Sequence, residues 1–119
     1  ELEELERYLV KIAEEIEAQD LDKVVAIDTE FHNLIYKASR NQRLTQIISN
    51  LREQIQRFRT TSLSYPGRMK SALEEHRKIV EAIAARDGEL ARKIAQEHIE
   101  NAENSMLSMI HQDKNYGGA

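Results

Sequence analysis

From Glu1 to Tyr65 the chain contains neither proline nor glycine. Proline would remove a helical hydrogen bond, and glycine would raise the entropy lost on ordering, so a long stretch lacking both leaves helix unopposed wherever apolar residues recur every three or four positions. They do recur. The first segment places Leu2, Leu5, Leu9, Ile12 and Ile16 at that spacing and ends near Asp20 and Asp22, either of which suits the N-cap of the next segment. A second runs to about Arg40, with Asn41 as its stop, and a third carries Leu44, Ile47, Ile48, Leu51, Ile55 and Phe58 before "SLSYPGR" breaks it. A fourth holds Met69, Leu73, Ile79, Val80 and Ile83 and stops at "RDG", where Gly88 suits a left-handed cap or tight turn. A fifth extends from Glu89 to roughly Gln112.

With no alternating strand pattern and no internal repeat, these segments predict an all-α antiparallel bundle with short loops, of about five to six helices. Residues 1–112 read as one domain and "DKNYGGA", 113–119, as a flexible tail. A chain of 119 residues buries a core without metal or disulfide staples. It has no cysteine, which excludes thiolate zinc sites, disulfide scaffolds and cysteine nucleophiles. A net charge of −4 argues against gripping a phosphate backbone unaided. No apolar run approaches the roughly 20 residues of a membrane span and no signal peptide opens the chain, so a soluble, cytoplasmic protein without membrane contact is expected.

Polar residues interrupt three of the apolar stripes. In the second segment the inward face runs Leu21, Val24, Val25, Asp28, Phe31, His32, Ile35, which stacks Asp28 and His32 one turn apart. His76 lies three residues after Leu73 and three before Ile79, and His98 lies midway between Ile94 and Ala102. The fourth histidine, His111, is rotated roughly 220° from His98 and belongs to another face.

Two readings fit. Each histidine is a core residue with a hydrogen-bond partner, Asp28 pairing with one of them; or the three imidazoles and the carboxylate converge on a divalent ion such as zinc, nickel, manganese or iron. A metal-dependent hydrolase is a further alternative, although no second inward carboxylate offers a general base. A di-iron bundle needs Glu three residues before His, and those positions are Thr29, Leu73 and Ala95. A plain helical dimerisation module is the remaining alternative.

Several of these residues also carry a family pattern. Asp28, Phe31 and His32 followed by Ser39, Asn41 and Leu44, then "EEHRKIVEAI" with His76, then "RDGELARKIAQEH" with Asp87, Ala91 and His98, resemble the FadR C-terminal domain, the effector-binding half of many GntR-type bacterial transcription regulators. The resemblance covers nearly the whole chain. It implies a bundle of six or seven helices, a divalent metal held at the positions of Asp28, His32, His76 and His98, and a small carboxylate effector (a hydroxy acid, sugar acid or dicarboxylate) docked on that metal. It further implies a homodimer whose N-terminal winged helix-turn-helix domains read an operator. No such domain is present in these residues, and the first family helix is missing or shortened at "ELEELERYL". The chain is therefore expected to be a piece of a longer regulator that binds metal and effector but not DNA. Around such a site Arg52, Arg59, Arg68 and Asn101 are the candidate clamps for the effector's far end. Against that role, arginines at helix edges mostly reach into water or pair with surface acids.

Overall fold

The computed structural model describes residues 1–117 and contains six helices in chain order: α1 (Leu2–Glu17), α2 (Leu21–Ala38), α3 (Gln42–Asn50), α4 (Arg52–Leu63), α5 (Arg68–Ala84) and α6 (Gly88–Gly117). No strand occurs among the described residues. The predicted tail begins inside α6, and its last two residues, 118 and 119, lie outside the described residues.

Local chemistry places the helix ends. The Asp20 carboxylate accepts from the Lys23 amide at 3.1 Å, the Asn41 side chain from the Leu44 amide at 3.0 Å and the Asp87 carboxylate from the Leu90 amide at 3.1 Å. Each satisfies one donor that the first helical turn leaves unpaired. Asp20, not Asp22, is thus the N-cap of α2. The residue before each cap, Gln19, Arg40 and Arg86, turns the chain with φ of 55°, 57° and 58°. The left-handed turn expected at Gly88 falls instead on Arg86, and Gly88 opens α6. Gly67, at φ 82°, does occupy a left-handed position in the Pro66–Gly67 turn that starts α5.

The third predicted segment is two helices. At Leu51, φ −101° and ψ 12° end α3, and the Leu51 amide is shared between the carbonyls of Ile47 and Ile48 at 3.2 and 3.1 Å. Ser49 and Asn50, both poor helix formers, immediately precede the break. α3 buries no residue, whereas α4 turns Ser62 and Leu63 into the interior.

α1 packs on α2 and α5, α5 on α6, and α4 on both α2 and α6. The Ser62 hydroxyl donates to the Ala102 carbonyl at 3.0 Å, tying α4 to α6 in the interior. The apolar core is Leu5, Leu9, Ile12 and Ile16 of α1 against Val24, Val25 and Phe31 of α2 and Ala72, Leu73 and Val80 of α5. Phe31 is fully buried, worth about 2–3 kcal/mol in apolar area alone. Its ring lies 4.5 Å from that of His76 and 5.5 Å from that of His32, so the apolar core passes directly into a polar cluster.

Candidate metal centre

α2, α5 and α6 each bring one imidazole to this cluster. One ring nitrogen from each of His32, His76 and His98 lies within 4.8 Å of the others. His32 Nε2 and His76 Nε2 approach to 3.2 Å. Asp28, one turn before His32, lies between them and faces α5: its Oδ1 is 3.2 Å from His76 Nε2 and its Oδ2 is 3.5 Å from His32 Nε2. The helical period is the cause, since i and i+4 on α2 share a face and that face meets α5.

Burial sets the protonation states. The His76 imidazole is 1% exposed, and that desolvation pushes its pKa down to about 3 against the opposing pull of Asp28. Burial lowers His32 likewise, again opposed by Asp28. For Asp28 burial acts upward, but the His32 hydrogen bond, the electrostatic pull of the His32 and His76 rings and, least, the Arg59 guanidinium outweigh it and hold the carboxyl well below its usual range. At neutral pH Asp28 is therefore ionised, and burial holds His32 and His76 neutral.

Those states suit a divalent cation. Neutral imidazole and carboxylate are the hard-to-borderline donors that zinc, nickel, manganese and iron(II) accept. One proton shared between the facing Nε2 atoms would pair His32 with His76, whereas His76 Nδ1, buried, has no partner among the described residues, so this ring is not fully satisfied by the protein.

His98 is held from behind. Its Nδ1 lies 2.7 Å from Glu75 Oε1, and Glu75 is clamped by Arg68 through two bonds of 2.8 and 2.9 Å and by the Asn101 amide at 3.0 Å. Burial alone would raise the Glu75 pKa, but these donors carry it well down. An ionised Glu75 only accepts, so His98 Nδ1 carries a proton, which leaves Nε2 as the nitrogen with which this ring can ligate.

The predicted effector residues divide. Arg59, 11% exposed, stands with its Nε 3.7 Å from Asp28 Oδ2 and its Nη2 donating to the Tyr36 hydroxyl at 3.4 Å. Arg68 is buried and committed to Glu75, with its Nη2 also 3.4 Å from the His98 carbonyl. Asn101 likewise serves Glu75. Arg52 is not brought to the histidines and lines a neighbouring cavity. His111 is exposed, on another face as expected. A cavity of about 230 Å³ opens beside the cluster, walled by Asp28, His32, His98, Arg59 and Arg68 with the apolar Ile55 and Phe58.

Glu75 is not evident from periodicity because it is rotated about 100° from His76 and so falls outside the apolar stripe. The available signal was Arg68, seven residues earlier on the same face of α5.

The bundle and its cluster can be set beside known proteins. The HTH-type transcriptional repressor RspR of Escherichia coli K12 is 24% identical to this chain over 113 residues, which is 95% of this chain and 50% of that protein. The HTH-type transcriptional regulator YdfH of Shigella flexneri matches with the same identity and coverage. The chain thus spans about half the length of the curated relatives it matches. No solved structure matches it. The family model for the FCD domain matches residues 1–101, and the chain belongs to that family.

Proposed function

We propose that this FCD domain is the effector-sensing unit of a transcription regulator, holding a divalent transition metal through Asp28, His32, His76 and His98 and taking a small organic acid beside it. The observation that carries the reading is the meeting of three imidazole nitrogens from three helices within 4.8 Å, next to an ionised carboxylate. When bound, the ion supplies a net positive charge with unfilled positions to which a carboxylate is drawn. Zinc or nickel suits the donor set best, with manganese or iron as the other choices.

The chain's own residues do the rest. Phe31 packs the rings of His32 and His76 in place, and Glu75 fixes the tautomer of His98. Arg59 presents a guanidinium in the cavity wall, and its partial pairing with Asp28 leaves donors for an incoming acid. Arg68 and Asn101 support the site by holding Glu75.

The names of the relatives favour regulation. Operator binding would belong to a separate helix-turn-helix domain of a cytoplasmic homodimer, and acid binding here would change how that domain is presented. No described helix is long and apolar enough to cross a membrane. Sensing is favoured over hydrolysis because both carboxylates at the cluster are engaged, Asp28 by His32, His76 and Arg59 and Glu75 by Arg68, His98 and Asn101. Neither is free as a general base.

Elemental analysis of protein purified without added metal, followed by a thermal-shift screen of organic acids with and without chelator, tests the proposal. Stabilisation by an acid that vanishes on chelation is expected. A metal-free protein that no divalent ion stabilises would reduce the cluster to satisfied core residues, and steady consumption of the acid would make the protein an enzyme.

A further inference from the structure

The break at Leu51 opens a second cavity, also of about 230 Å³, on the concave side of the α3–α4 corner where it faces α2. This outer cavity shares Tyr36, Ile55 and Arg59 with the cavity beside the histidines. The Arg59–Tyr36 hydrogen bond, 3.4 Å long, joins two residues of that shared wall, while Arg59 Nε lies 3.7 Å from Asp28. One guanidinium therefore borders both spaces. Each cavity alone is smaller than the roughly 300–1,000 Å³ of an ordinary small-molecule pocket, and the two joined fall within that range.

The chemistry of the outer wall is one-sided. It carries two arginines, Arg52 and Arg59, with the amides of Asn33 and Gln56 and the Ser49 hydroxyl, and no carboxylate. Arg52 has no ion-pair partner among the described residues, although acids make up much of this chain's surface. A concave, acid-free surface with an unneutralised guanidinium attracts an anion.

We propose that the two cavities form one bipartite site, in which an elongated organic acid lays one carboxylate at the histidine cluster and a second anionic group in the outer cavity against Arg52. The inference rests on the effector-sensing reading above. Arg52 is then the specificity-determining residue, selecting dianionic over monoanionic acids, and the Tyr36–Arg59 pair is the partition that the ligand's chain crosses.

The test is a matched series. Succinate, glutarate and adipate are titrated against butyrate, pentanoate and hexanoate into wild type and Arg52→Gln, each loaded with nickel and again after chelation. At one chain length the dicarboxylate should bind wild type at least about tenfold tighter than the monocarboxylate of equal carbon number, the order expected for an added charge-assisted contact. Arg52→Gln should bring that preference below about twofold while metal content and monocarboxylate affinity stay unchanged. Ser49→Phe, which fills the outer cavity from α3 and leaves Arg52 in place, should abolish the preference too.

A preference that is missing in wild type, or intact in both variants, overturns the bipartite site while leaving metal binding standing. An Arg52-dependent preference that persists after chelation upholds the outer subsite and overturns the role of the metal. Failure of every acid to bind either form overturns both.

Discussion

Glu75 Oε1 lies 2.7 Å from His98 Nδ1 and 2.8 Å from Arg68 Nη2, so a single carboxylate oxygen both orients an imidazole and neutralises a buried guanidinium. The two tasks separate in a variant. Glu75→Gln keeps an acceptor for His98 but removes the charge opposite Arg68, which is 4% exposed. Metal affinity should fall about 10- to 100-fold, the usual cost of losing such a supporting partner. Stability without metal should fall by roughly 3 kcal/mol, because an uncompensated charge remains in the interior. Chelator-competition titration and chemical denaturation read the two effects separately, and unchanged affinity would remove Glu75 from the metal site.

Three helix junctions place a residue other than glycine in the left-handed region, directly before an Asx cap. At two of them the backbone closes the same motif: the Asp20 amide bonds the Glu15 carbonyl at 3.1 Å and the Asp87 amide bonds the Ala82 carbonyl at 2.9 Å. Glycine carries no Cβ penalty there. Gln19→Gly and Arg86→Gly, both at exposed positions, should each raise stability by about 1 kcal/mol without touching metal affinity. Denaturation midpoints check this, and a loss of stability in either variant would show that the native side chain contributes more than its strain costs.

The placement of the histidines was legible because a helix converts spacing into direction. Asp28 and His32, four residues apart in an apolar stripe, had to share a face, and His76 and His98 each sat between apolar neighbours on theirs. What could not be read depends on contacts between helices. Leu51 ends α3 with no proline or glycine to mark it; Ser49 and Asn50 only weaken the helix there, and α4 beyond the bend packs on α2 and α6. Arg68, expected as a candidate clamp for the effector, is buried and paired with Glu75 two turns along. Arg52 and Arg59 share a face of one helix, yet only Arg59 reaches Asp28, for the approach of α2 decides which end of that face is covered. Gly88 drew the left-handed assignment by residue type, although Asp87 had already claimed the cap and moved the turn back to Arg86.

Among the described residues, Asp28 is the acid that faces His32, His76 and Arg59 together. Replacing it by asparagine preserves shape and removes charge. Asp28→Asn should weaken metal binding well beyond tenfold, since an anionic donor is lost, and should destabilise the metal-free protein by about 1–3 kcal/mol through the unpaired Arg59. Double substitution with Arg59→Met should recover part of that stability and none of the metal affinity. Recovery of both would mean that Arg59, and not the ion, is the real partner of Asp28.

Acid should unfold the metal-free protein in a window set by the buried imidazoles. The native His76 takes up its proton only near pH 3, whereas in the unfolded chain it does so near the ordinary histidine value of 6.5. Between those limits the unfolded state binds more protons than the native one, so stability falls as pH falls, by at most roughly 1.4 kcal/mol per pH unit for each such group. His32, lowered by the same burial, adds to the slope in the same sense. Asp28 acts lower on the scale: its depressed native pKa contributes stability that is complete above the unfolded carboxylate range and is lost below it. Urea midpoints of chelated protein at pH 7.5, 6.5, 5.5 and 4.5 (about one pH unit apart, to resolve a slope of that size) should therefore decline steadily below 6.5. His76→Asn should flatten the decline although it lowers the starting value, because the group that the unfolded chain protonates is gone. A decline of equal slope in wild type and variant would show that His76 is accessible to protons in the native state, and hence that the cluster is far wetter than its burial implies.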